Sequence, residues 1–248
     1  VEKKKNMKIA LCLHGYFNSS RDLTSFGVDG FDHIKKHILS DNVDVYIHTW
    51  DTVNESKIKQ LYGPWIKNIL VEEQIDFKPL FYRNNLHTLE SRPGVTPFWN
   101  AFSQFYSVSE SFKLMIQSNI DYDVVIKSRF DLGRINRNSS GPGLCNPFPV
   151  QCINFQPHLP MNKFYMADWQ YLDTEGPADM WFYSGIDLMK NFSRLYDIIS
   201  EDVRVGSEYS EWCGPEDGGM LNIIKAWKWF LLRTDLWSKK QTLQTYWE

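Results

Sequence analysis

Lys127, Arg129, Asp131 and Arg134 fall within eight residues of one another, three basic groups around one carboxylate. A guanidinium and a carboxylate two residues apart suit an anionic, hydroxyl-rich or metal-bound ligand better than an apolar one. Arg129-Phe130-Asp131 has the spacing of a metal-binding Asp-x-Asp with its first carboxylate replaced. A single carboxylate holds a divalent cation such as Mn²⁺ or Mg²⁺ weakly, so Asp131 is the metal candidate if there is one. Lys127, Arg129 and Arg134 could instead neutralise a diphosphate without metal. The competing explanation is a surface salt bridge at a strand end. Nucleotide-sugars answer to this set of groups.

Other residues with chemistry to offer sit at comparable breaks in the chain. After an apolar run comes His14-Gly15-Tyr16-Phe17-Asn18-Ser19-Ser20-Arg21. Gly15 permits close backbone approach, Asn18 and Ser19 supply hydrogen-bonding groups, and Arg21 can pair with phosphate. A plain turn with a solvated Arg21 explains the same residues. No GxGxxG and no GxxxxGK[ST] occurs, which argues against a Rossmann dinucleotide site and a P-loop. Trp50-Asp51 sets a carboxylate beside an indole, a partly desolvated arrangement suited to a general base for a sugar hydroxyl. Asp51 as a turn or N-cap residue is the alternative. Asp179 precedes an aromatic run, and Glu216-Asp217 follows Gly214-Pro215. Transfer to a hydroxyl needs a carboxylate that deprotonates it as the diphosphate leaves, and Glu216 or Asp217 can supply one; helix capping competes with that role. The six histidines form no HExxH pattern, His14 and His48 read as structural or peripheral residues of strand ends, and no GxSxG marks a nucleophilic serine.

These residues need elements to hold them. Met7 to Leu13 and Val43 to Thr49 read as buried strands, joined by a helix with Phe31, Ile34, Ile38 and Leu39 at 3-4 spacing. Such a βαβ unit brings the Gly15 loop and Asp51 to one edge of a sheet. An amphipathic piece covers Ile58 to Leu70, an apolar piece Phe77 to Tyr82, and residues 54 to 97 otherwise give no firm assignment. Phe102, Phe105, Val108, Phe112, Met115 and Ile116 predict a helix over Phe98 to Ile120, leading into a strand at Val124, Val125 and Ile126. In open α/β sheets ligands bind beyond such strand tips. Residues 136 to 163 read as a long loop around short strands. Ala178 to Ser184 predicts a strand, Ile186 to Ile199 a helix, and Glu211 to Asp217 the opening of a last helix through Leu221, Ile224, Trp227 and Phe230.

The chain of 248 residues fits one large α/β domain better than two small ones. Its net charge of −3 and pI near 6.1 argue against a nucleic-acid scaffold. Ten Trp and 15% aromatic residues supply mostly core, with a minority left as platforms for sugar rings. No apolar run suits a membrane span and no leader pattern is visible, so the expectation is a soluble, intracellular protein. Cys12 reads as a buried thiol, and neither a disulfide framework nor a zinc site is indicated.

KIALCLHGYFNSSRDL, NVDVYIHTWD, FSQFYSVSESFKLM, YDVVIKSRFDL, ADMWFYSGIDLMKNF and GPEDGGML, in this order, resemble a group of GT-A-like glycosyltransferases found in bacterial surface-polysaccharide loci and in large DNA viruses of algae. The resemblance runs from about Lys8 to Trp227. It implies a GT-A-like single domain with a mostly parallel central sheet flanked by helices: residues 1–135 as the nucleotide-sugar-binding half, residues 136–248 as the acceptor-side half. It implies a UDP-linked donor and an oligosaccharide or glycoprotein acceptor. By matching position, Gly15, Tyr16 and Arg21 would meet the nucleotide, Asp131 the diphosphate or metal, and Asp51 or Asp217 would be the base, with Trp50, Lys127, Arg129 and Asp179 on the donor side. Within the group the chain looks most like the chlorovirus enzymes that build capsid glycan, xylosyltransferases among them, in which case UDP-xylose is the donor, the anomeric centre inverts, a β-linkage results and a viral enzyme would work in the host cytoplasm. A non-catalytic sugar-binding module and a nucleotide-sugar hydrolase are the alternatives.

Overall fold

Short, mostly apolar runs spread along the chain build one seven-stranded sheet. The computed structural model describes residues 7–17, 26–89, 98–132, 152–168, 172–214 and 219–244. Strand β1 (Ile9–His14) leads through helix α1 (Phe26–His37) to β2 (Val43–Thr49), the expected βαβ unit. A short 3-10 turn and helix α2 (Glu55–Tyr62) precede β3 (Ile66–Val71), so the amphipathic stretch from Ile58 to Leu70 divides into a helix and an edge strand. Gly63 and Pro64 stand where it divides. Helix α3 (Lys78–Arg83) and the long α4 (Phe98–Gln117) follow, and α4 feeds β4 (Val124–Arg129) as its apolar spacing predicts.

The second half is less regular than its sequence suggests. Strands β5 (Phe164–Ala167) and β6 (Trp181–Ser184) are short. The single helix expected from Ile186 to Ile199 is α5 (Ile186–Met189), a 3-10 segment, and α6 (Leu195–Asp202). Helix α7 (Glu208–Cys213) is a separate short element. The last helix, α8, spans Ile223–Arg233 and is capped by Asn222, whose side chain accepts from Ile224 N at 2.8 Å. It therefore starts beyond Pro215, Glu216 and Asp217 and does not open on them. Strand β7 (Lys240–Leu243), mostly polar and not foreseen, closes the sheet.

The sheet order is β3-β2-β1-β4-β6-β5-β7. β3, β2, β1 and β4 pair in parallel, β6 is antiparallel to both its neighbours, and β5 and β7 are parallel to each other. This is the mostly parallel, helix-flanked α/β sheet that was expected. Side chains alternate between faces, and each face carries its own core. Ala10, Cys12, Tyr46 and Val125 pack under α4, α6 and α8, against Phe102, Phe105, Ile199 and Trp227. Leu11, Leu13, Val45, Ile47 and Ile126 pack under α1 and α2, against Phe31, Ile34, Ile58 and Tyr62. Cys12 is the buried thiol anticipated, its pKa raised by burial.

Candidate functional site

The period of two that sorts the core also selects the site. His14 follows Ala10 and Cys12 onto the α4 face, His48 and Trp50 follow Tyr46, and Lys127 and Arg129 follow Val125. The registers set His14 beside His48 on one side and Arg129 on the other. These residues lie at the C-terminal ends of three parallel strands, where the sheet stops and α4 passes over it. A cleft of about 430 Å³ opens there, and its walls include Gly15, Tyr16, Trp50, Gln104, Arg129 and Asp131.

Arg129 is the hub of its charged wall. Its Nε donates to Asp131 Oδ1 at 2.9 Å and its Nη2 to Asp131 Oδ2 at 2.7 Å, a bidentate fork. Nη1 lies 3.7 Å from Asp179 Oδ1. Asp179 reaches this place because β6 runs antiparallel: the residues that lead into it meet the tip of β4, with Trp181 opposite Ser128. Gln104 of α4 donates from Nε2 to the other Asp179 oxygen. Burial works against the Arg129 charge, but the two carboxylates outweigh it and raise its pKa; burial likewise opposes the Asp179 charge, and Arg129 and Lys127 override it and lower its pKa.

Lys127 takes a different place from the one its charge suggests. Its side chain is wholly buried and does not line the cleft. The ammonium donates to the carbonyl oxygens of Asp179 and Met180 and sits 5.1 Å and 5.0 Å from the ring centroids of Phe182 and Trp227. Burial, opposed by Asp179, lowers its pKa to about 7. Lys127 thus supports the strand that presents Asp179 from below.

The Gly15 turn is clamped from α4. Gly15, at φ +92°, donates its N–H to Ser107 Oγ at 2.9 Å. Ser107 Oγ is 2.7 Å from His48 Nδ1, and His48 Nε2 is 2.9 Å from Glu72 Oε1. With Glu72 accepting, His48 carries its proton on Nε2 and Ser107 donates to the bare Nδ1, so every group in the chain is satisfied. Burial lowers the His48 pKa against the pull of Glu72, in keeping with a neutral ring. This serine, histidine and glutamate resemble a nucleophilic triad in composition. Ser107 is nevertheless fully buried and its oxygen is taken by Gly15, so the arrangement holds a loop. His48 is thus a structural residue, one of the two roles its sequence position suggested, and a central one.

His14 departs further from expectation. It lines the cleft, is 3% exposed, and neither ring nitrogen has a hydrogen-bond partner. Burial first, then the nearby Lys127, Arg129 and His48, holds its pKa well below the ordinary histidine value, leaving a neutral ring with one donor and one acceptor.

On the outer wall Tyr16, 46% exposed, donates its hydroxyl to Gln74 Oε1 at 2.6 Å, and Gln74 Nε2 donates to Ser103 Oγ at 3.0 Å. Burial and then the neighbouring Asp51 charge raise the Tyr16 pKa, which keeps the phenol protonated. Trp50 is buried and stacked on Tyr106 with centroids 5.4 Å apart. Asp51 is outside the cleft lining; its carboxylate accepts from Asn54 N at 3.2 Å and from Asn54 Nδ2 at 2.9 Å, capping the 3-10 turn Thr52–Asn54.

Of the residues singled out in the sequence, Gly15, Tyr16, Trp50, Arg129 and Asp131 meet in the cleft, Asp179 binds its rim through Arg129, and Lys127 and Asp51 lie just outside the lining. Asn18, Ser19, Arg21, Arg134, Glu216 and Asp217 lie outside the described residues. His14, Gln74, Asn100, Ser103 and Gln104 also line the cleft and were missed. One signal was available: Asn100, Ser103, Gln104 and Ser107 recur at i, i+3, i+4 and i+7 in the first half of α4, a polar stripe facing the strand tips. Both Asp131 oxygens are spanned by Arg129, and among the described residues no group of three His, Cys, Asp or Glu side chains is placed to hold a metal ion. The described residues do not form a site for a divalent cation.

No protein-family model and no curated protein matches the chain. Among solved structures the chain is similar to WbbM, a bifunctional glycosyltransferase solved in its apo form, with 9% identity and a TM-score of 0.41. The match covers 98% of this chain and 40% of that one, so the chain spans well under half the length of the protein it resembles. A likeness of that depth assigns neither an activity nor a residue role. No helix of the described residues is long and apolar enough to cross a membrane.

Proposed function

We propose that the protein is a glycosyltransferase that moves a sugar from a nucleoside-diphosphate donor to a hydroxyl of a glycan acceptor. The observation that carries this reading is the cleft at the C-terminal tips of β1, β2 and β4, where α/β sheets take their ligands, walled by Arg129, Asp131, Tyr16 and the amides of α4. Hydroxyl-rich ligands are bound by such amide, phenol and carboxylate groups, and Tyr16 offers an exposed ring for stacking. The ordered resemblance of the sequence to GT-A-like enzymes supports the same reading and makes UDP-sugars the first donors to try, UDP-xylose among them, with a capsid or surface glycan as acceptor. In this proposal residues 1–135 bind the donor and residues 136–248 face the acceptor, the two halves sharing the Arg129–Asp179 contact.

Inverting transfer requires a base for the acceptor hydroxyl. Asp51 and Asp217 are the named candidates, with Glu216 beside the second. Asp51 is the first choice and Asp217 the second; the Asp51 carboxylate accepts from Asn54 and keeps lone pairs for a further proton. The test is nucleoside diphosphate release from a donor panel, with and without glycan acceptors, for wild type, Asp51→Asn and Asp217→Asn. Acceptor-dependent release is expected, with the true base variant slower by roughly two to four orders of magnitude while donor binding persists. Binding of glycan without release identifies a lectin. Cleavage of the diphosphate itself, with no acceptor needed, identifies a hydrolase.

A further inference from the structure

The positive charge of the described cleft is already matched. Arg129 faces two carboxylates, Asp131 and Asp179, and Lys127 is buried beneath them with its ammonium on backbone carbonyls. What remains open to a ligand is neutral and polar. His14 lines the cleft wall, and its two ring nitrogens, turned away from solvent, have no partner. Gln104 donates to Asp179 and keeps its amide oxygen, while Ser103 accepts from Gln74 and keeps its hydroxyl proton. Asn100 stands exposed at the mouth. Mixed donors and acceptors without net charge match sugar hydroxyls, each of which both donates and accepts; a phosphate oxygen only accepts.

We propose that His14 and the polar stripe of α4 (Asn100, Ser103 and Gln104) form the subsite that reads the hydroxyls of the donor sugar, the His14 ring turning on its side-chain bonds to offer one of its unpartnered nitrogens to a hydroxyl. The inference rests on the glycosyltransferase reading above and adds the position of the sugar within the cleft. A buried polar group without a partner costs free energy in the empty protein, and a ligand hydroxyl recovers it. His14 lies on β1, paired on both sides by β2 and β4, so its backbone is fixed in the middle of the sheet.

The test compares affinities for a sugar nucleotide and for its sugar-free nucleoside diphosphate by titration calorimetry. UDP-, GDP- and CDP-sugars are screened first against wild type. His14→Phe, which keeps the ring volume but removes both nitrogens, is expected to weaken the preferred nucleotide-sugar roughly tenfold and to leave the matching nucleoside diphosphate within about twofold. His14→Asn, which restores a donor and an acceptor, should retain more of the affinity. Asn100→Ala, at an exposed position where folding is not at stake, should cost the nucleotide-sugar several-fold with the same selectivity. Equal loss for both ligands would make His14 a phosphate contact or a fold residue and overturn the proposal, as would unchanged binding of the nucleotide-sugar in all variants. If wild type binds no nucleotide-sugar at all, the glycosyltransferase reading fails and this inference falls with it; the wild-type titration alone tells that outcome from the others.

Discussion

Lys127 carries an ammonium into a wholly buried position, and the cost of doing so depends on pH. With a folded pKa of about 7, against about 10.4 in an unfolded chain, the native protein binds fewer protons than the unfolded one between those values. Stability is therefore penalised in full below about pH 7 and recovers as the pH rises toward the unfolded value. Lys127→Met, which fills the space between Phe182 and Trp227 without a charge, removes the penalty. Melting curves from about pH 6 to about 9 should show wild type gaining on Lys127→Met as the pH rises; parallel curves would contradict the assignment. Single residues were legible where chemistry and position agree. Arg129 and Asp131 at a strand tip were read as ligand-facing, and both line the cleft. Lys127 was read with them by charge, although its alternation with Val125 and Arg129 turns it inward under Phe182. The same alternation places His14, yet nothing in a sequence tells whether a buried imidazole finds a partner.

At the scale of elements, α1 matters for the site through one glycine. A Cβ on Gly30 would run into the carbonyl of Phe130, between Arg129 and Asp131. The obstacle is backbone, which cannot swing aside as a side chain does. Gly30→Ala should thus destabilise the protein by about 1–3 kcal/mol despite its better helix propensity, measured as a lower urea midpoint at unchanged slope. A stabilised variant would mean that α1 stands off from the strand tip. Helix α4 was legible from Phe102, Phe105, Val108, Phe112 and Met115 because that face makes the core. Its polar stripe carried as clear a period and was passed over, since polar residues on a helix usually mean solvent. The expected helix from Ile186 broke because its apolar residues serve three short segments that turn around Phe192, itself packed on Phe112 and Phe164.

For the whole molecule, the fold class followed from β-branched runs and helical periods, but strand direction did not. Trp181 to Ser184 is as apolar as a parallel core strand, and only its partners reveal it as antiparallel. That direction is what delivers Asp179 to Arg129, so the sequence names Asp179 for the donor side but not the contact that brings it there. β5 and β7 were missed for a related reason: strands of four residues, one of them mostly polar, have too little pattern to register. The central claim is that the cleft over β1, β2 and β4 is where a sugar nucleotide binds. A crystal structure of the protein with its preferred nucleotide-sugar tests this most directly. The expected result is the donor lying over these strand tips, with its sugar against His14, Ser103 and Gln104 and Arg129 still forked to Asp131. A donor bound elsewhere, with the cleft unchanged and His14 still unpartnered, would contradict it.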